Sequence, residues 1–146
     1  LYTARVAFTI SAGISLSLRK RVAGVETQLV FLTVPGLTHV AGTFYRLRFQ
    51  GVGSTLRARV WNAAVSMEPA IWQVTVTDTA LSAAASLGTR SLLGSANTNV
   101  SPVVRYDGFA SLNPQIMTVT RSVNGVVKSH LAGPDVRLAQ PSIVAL

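Results

Sequence analysis

Apolar and polar residues alternate with a period of two along much of this chain, the pattern of strands with one buried and one wetted face. The alternation predicts a first strand over 2–10, a tight turn at Ser11-Ala12-Gly13, and a second strand in which Ile14, Leu16 and Leu18 share a face. Arg19-Lys20-Arg21 continues that strand and Ala23-Gly24 breaks it. A third strand follows over 26–34, closed by Pro35-Gly36. Three consecutive strands with short turns between them read as a meander.

The sharpest pattern in the body is a hairpin. Phe44-Tyr45-Arg46-Leu47-Arg48-Phe49 and Leu56-Arg57-Ala58-Arg59-Val60-Trp61 flank Gly51-Val52-Gly53-Ser54. One face would carry Tyr45, Leu47 and Phe49 against Leu56, Ala58 and Val60. The other would carry Arg46 and Arg48 near Arg57 and Arg59, four like charges that repel unless anions, carboxylates or water separate them. Further strands are expected over 71–77, 87–93 and 103–109, with a helical turn capped by Asp78 between the first two. Asn113-Pro114 marks a boundary. Beyond it, β-branched runs flank Asn124-Gly125, a pair suited to a type I′ turn, and a short strand is expected at 136–138. Eight or nine short strands with turns about every ten residues predict an all-β, antiparallel two-sheet sandwich.

Composition changes the picture in two ways. Hydrophobic residues make up 49% of the 146 residues and charged residues only 12%, against about a quarter charged in an ordinary soluble domain. No apolar run approaches the 18 or so residues of a spanning helix, so the low charge suits a surface covered by partners in an assembly. The net charge of +8 rests on 11 Arg against 2 Lys. Arginine recognises planar anions bidentately, yet here it alternates along strands and does not form the basic block of a nucleic-acid site. Either a solvated sheet face or an anion-contacting one fits that spacing. There is no Cys and no initiator Met. The chain opens directly into a strand pattern, as expected of a piece beginning part-way through a longer polypeptide.

The residues offer little for catalysis. Five carboxylates are present, Glu26, Glu68, Asp78, Asp107 and Asp135, and no two lie on one strand face as a hydrolytic pair would. His39 and His130 fall in expected turns without a second ligand at metal spacing. Oxygen donors for calcium, Asp78, Asn97, Asn99 and Asp107, are scattered. No catalytic residue, metal or cofactor is therefore expected. The candidate ligand contacts are Arg46, Arg48, Arg57 and Arg59, together with Trp61 and Trp72 as aromatic platforms for a sugar ring. Trp61 is expected to be exposed, since it is out of phase with Val60.

Phe44-Tyr45-Arg46-Leu47-Arg48-Phe49-Gln50, Leu56-Arg57-Ala58-Arg59-Val60-Trp61, Glu68-Pro69 with Trp72-Gln73-Val74, and Arg105-Tyr106-Asp107 together resemble a concanavalin A-like, laminin G-like jelly roll. More narrowly, they resemble the version in minor tail proteins of siphophages that infect high-GC Gram-positive bacteria. Asn113-Pro114-Gln115, the stretch from Thr118 through Asn124-Gly125 to His130, Asp135-Val136-Arg137-Leu138 and the closing residues 141–146 resemble the terminal module of those proteins. The resemblance implies a jelly roll over 1–112, whose first strands either lie upstream or are supplied by another chain, and a C-terminal β-hairpin module over 113–146. It implies a virion structural protein of the tail tip, extracellular, that attaches to a host-envelope glycan and is not an enzyme. The implied partners are other tail-tip proteins, further copies of this chain in a homo-oligomer such as a trimer, and an anionic cell-wall glycan. Nucleic acid and a membrane span are not expected. A carbohydrate-binding module of a secreted protein is the alternative.

Overall fold

Ile14, Leu16 and Leu18 are fully buried, as their shared strand face predicts, and the fold is built around them. The computed structural model describes residues 1–81, 83, 86–95 and 97–112. The chain divides into a unit that takes in residues 1–83 and a second beginning at residue 84. Among the described residues, the first unit holds six strands, β1 (Tyr2–Phe8), β2 (Gly13–Val22), β3 (Val25–Thr38), β4 (Arg46–Val52), β5 (Thr55–Trp61) and β6 (Val74–Thr77). They form two antiparallel three-stranded sheets ordered β1-β2-β3 and β4-β5-β6. Each sheet is an uncrossed meander, and no helix occurs among the described residues. No helix there is long and apolar enough to cross a membrane.

The expected meander is present, with its turn at Ala23-Gly24 as expected and with two shifts: β1 ends at Phe8, short of residue 10, and β3 runs past Pro35-Gly36. The β2–β3 turn is Ala23-Gly24, both with positive φ, 47° and 84°. Such a two-residue turn matches the twist of the strands it joins, though Ala23 bears a Cβ where glycine or asparagine is at ease. The third strand does not end at Pro35-Gly36 but runs on to Thr38. Two steps along β2, from Gly13 to Ser15, match five along β3, from Thr38 to Thr33. Pro35 and Gly36, the latter at φ 70°, sit in that bulge, on an edge strand, where a missing N–H breaks no ladder bond.

One buried cluster draws on both sheets. It joins Ile14, Leu16 and Leu18 of β2 and Val34 of β3 to Leu56, Ala58 and Val60 of β5 and Val74 of β6. The alternation expected of β5 is therefore observed, its apolar positions inward and its arginines outward. A polar latch bridges the sheets at one margin. Asp78, directly after β6, receives hydrogen bonds from Tyr2 Oη at 2.5 Å and Lys20 Nζ at 2.7 Å. The Asp78 Oδ1 atom also accepts from Ala80 N at 2.9 Å, and Tyr2 Oη accepts from Leu81 N at 3.1 Å. Asp78 thus holds a tight Asx turn and not a helix cap; the expected helical turn is absent among the described residues.

Three other expectations need correction. The strand expected at 71–77 begins only at Val74, because the Gln73 side chain takes the next ladder positions itself. Its Oε1 accepts from Val60 N at 2.7 Å and its Nε2 donates to Val60 O at 3.1 Å. The strands expected at 87–93 and 103–109 are not strands. Leu87, Leu92, Val103 and Phe109 are exposed, and local alternation without a partner strand among the described residues leaves backbone N–H and C=O groups with no ladder there to join. The hairpin at Asn124-Gly125 and the short strand at 136–138 lie outside the described residues.

Candidate functional site

The outward face of the β4–β5–β6 sheet carries all four arginines of the hairpin. Register decides which charges meet. Arg48 lies opposite Arg59, but Arg57 lies opposite Gln50 and Arg46 opposite Trp61. Only one of the facing pairs is therefore like-charged. Directly opposed cations on adjacent strands are destabilising, and the chain answers with a carboxylate: Glu68 Oε1 contacts Arg48 Nη1 at 3.0 Å and pairs with Arg59 Nη2. Arg59 Nη1 also donates to the Pro69 carbonyl, which fastens the loop after β5 to the sheet.

Trp72 completes the arrangement. The guanidinium carbons of Arg59 and Arg57 lie 4.3 and 4.9 Å from its ring centroid, both at cation–π distance. Arg57 Nε donates to Gln50 Oε1 at 2.6 Å. A continuous run of contacts thus crosses the face: Arg48, Glu68, Arg59, Trp72, Arg57, Gln50. The Arg59 side chain is only 12% exposed, whereas that of Arg48 is 46% exposed. Arg46 makes no ion pair or side-chain hydrogen bond among the described residues.

Trp61 differs from expectation. It is buried, 8% exposed, at the end of β5 and cannot present an open ring to a sugar. Trp72 is half-buried and carries two guanidinium groups. The sequence missed the parts played by Glu68 and Gln73. Glu68 reads there as a loop residue before a proline, and only the spatial return of residues 68–73 across β5 reveals its partners.

The other carboxylates within residues 1–83, Glu26 and Asp78, are also paired. Glu26 is bridged by Arg5 Nη2 at 2.7 Å and Arg19 Nη1 at 2.9 Å on the outward face of the other sheet. Burial raises the Glu26 pKa, but the Arg19 hydrogen bond and the charges of Arg5 and Arg19 outweigh it and leave it below the usual value. Hydrogen bonds from Lys20, then Tyr2, then Ala80 hold Asp78 down to about 2. Burial and the Asp78 hydrogen bond raise the Tyr2 phenol. Glu26, Glu68 and Asp78 each serve a cation, an arrangement that stabilises sheets and supplies no acid–base pair.

His39 lies after β3 with its ring 4.5 Å from that of Phe8 and 6.2 Å from that of Tyr45. Tyr45 Oη ties this corner together, donating to Thr38 O at 2.7 Å and accepting from Val40 N at 3.1 Å. In the second unit, Asn97 and Asn99 hydrogen-bond each other, Nδ2 of Asn99 to Oδ1 of Asn97 at 2.8 Å. No cluster of three His, Asp or Glu residues at metal-binding spacing occurs among the described residues. His130 lies outside them.

No family model matches the chain, and no curated protein and no solved structure matches it either.

Proposed function

We propose that this chain is a non-catalytic structural component of a phage tail tip whose two-sheet domain adheres to a glycan of the host-cell envelope. The observation that carries the adhesive part is the outward face of the β4–β5–β6 sheet, where four arginines and Trp72 are balanced by the single carboxylate of Glu68. A cationic face of this kind favours an anionic partner. The placement in a tail rests on the sequence resemblance. It is supported by the low charge content and by large apolar side chains left exposed, among them Ile10, Val65, Met67 and Ile71, which suit burial against other subunits. Many weak copies acting together would supply the avidity.

The same reading takes the two sheets as the layers of a jelly-roll sandwich. The core shared by β2, β3, β5 and β6 supports two packed layers. The crossing connections of a jelly roll are not found among the described residues. The reading assigns residues 113–146 to a terminal β-hairpin module.

Gold-labelled antibodies against the purified chain, applied to phage particles from a lysate that expresses it, test the placement. Label concentrated at the tail tip is the expected result. Label absent from particles, with the chain free in the medium and binding neutral sugars, would replace this reading with a secreted carbohydrate-binding module.

A further inference from the structure

The four arginines are not equivalent. Two are committed to the fold: Arg48 and Arg59 share Glu68, and Arg59 also holds Pro69 and Trp72. The other two are not. Arg57 gives Nε to the neutral Gln50, and its Nη nitrogens donate to no acceptor among the described residues. Arg46 has no carboxylate or carbonyl partner among them. Gln50 and Trp72 hold the Arg57 guanidinium from two directions, which fixes a planar fork before any ligand arrives. A pre-oriented fork with free N–H donors is suited to an oxyanion.

From the register, Arg57 lies across from Gln50 and Arg46 lies four residues away on that strand, about 13 Å at the rise of an antiparallel strand. We propose that Arg57 and Arg46 form a two-point site for a flexible polyanionic glycan, one oxyanion on each arginine, with Arg48, Glu68 and Arg59 as the scaffold between them. This deepens the adhesive reading above and rests on it for biological context. A single anion reaches one arginine only, so a polymer that spans both binds more tightly than its monomer. Single-stranded nucleic acid is disfavoured because its affinity draws on open aromatic platforms. Here Trp61 is buried and Trp72 carries two guanidinium groups.

The test is a fluorescence titration of the labelled full chain with inorganic polyphosphate, polygalacturonate, neutral dextran, inorganic monophosphate and single-stranded oligothymidylate. The expected result is saturable binding of at least one of the first two polymers, weaker binding of monophosphate, and none of dextran. Tighter polyphosphate binding identifies a phosphoryl ligand, and tighter polygalacturonate binding a carboxylate one. Arg57→Gln and Arg46→Gln should each weaken the polymer about tenfold, the loss of one charge-assisted contact. Arg90→Gln, an exposed change in the second unit, should stay within about twofold, and all three variants should keep the wild-type circular dichroism spectrum. Equal losses in all three would show a response to net charge alone and overturn the site. So would equal affinity for polymer and monophosphate, exclusive binding of dextran, or oligothymidylate outranking both polymers. Binding of dextran alone would still leave glycan adhesion standing, whereas two-point polyanion binding without tail-tip labelling would overturn the tail assignment and keep the site.

Discussion

Asp78 shows how much one side chain can join. It ends β6, holds an Asx turn through Ala80 N, and takes hydrogen bonds from Tyr2 of β1 and Lys20 of β2. Its pKa is depressed from 3.8 to about 2 in the folded chain. A depressed acid stabilises the folded state fully above its unfolded pKa and loses that contribution as pH falls through the folded one. Thermal unfolding of the wild type should therefore show a loss of stability between about pH 4 and pH 2, and Asp78→Asn should flatten that part of the profile. An unchanged profile in the variant would remove Asp78 from the acid response. Glu68 gives a second residue-scale prediction. Glu68→Gln leaves Arg48 and Arg59 facing each other without the shared carboxylate, and should cost about 1–2 kcal/mol, less in high salt, which screens the half-exposed pair. Chemical denaturation at low and high salt reads this; a neutral variant would mean the pair needs no mediator. A third follows from Ala23 at φ 47°: Ala23→Asn, which suits the turn, should stabilise by about 0.5–1 kcal/mol, seen as a raised thermal midpoint.

At the scale of elements, the legible strands are those with a partner close in sequence. Ile14, Leu16 and Leu18 alternate cleanly against neighbours one turn away on either side, and β2 is where the pattern places it. Leu56, Ala58 and Val60 behave likewise in β5. Leu87 and Val103 sit in segments with a similar look, yet among the described residues no neighbouring strand supplies backbone partners, and both are exposed. Alternation reports what a strand would bury, not whether a sheet exists to receive it. Gln73 shows the converse, since no propensity predicts an amide side chain that completes a ladder and shortens β6. For the candidate face, the sequence shows the four arginines and their side of the hairpin. It hides the division between pinned and free ones, which depends on Glu68 and Trp72 returning from the loop after β5. Leu16, fully buried in β2, tests the shared core: Leu16→Ala should cost about 2–5 kcal/mol in denaturant unfolding. A loss below about 1 kcal/mol would mean that this core does not hold the sheets.

At the scale of the whole molecule, the chain combines an economical use of charge with a cationic surface. Glu26, Glu68 and Asp78 are all consumed in holding strands or loops, which leaves the arginine surplus for partners. Residues 1–81 are built from two meanders, the second closed by the longer loop over 62–73, and they leave many large apolar side chains exposed. Such a domain suits display in many copies, where neighbours cover the apolar positions and each cationic face adds a weak contact. The most direct measurement is binding of the fluorescently labelled chain, wild type and Arg57→Gln, to intact envelopes of high-GC Gram-positive cells at low and high salt. The account predicts saturable binding that an anionic wall glycan competes, that weakens as salt rises, and that Arg57→Gln reduces about tenfold. Absence of envelope binding in monomeric and forced trimeric forms, or binding indifferent to both salt and Arg57, would contradict it.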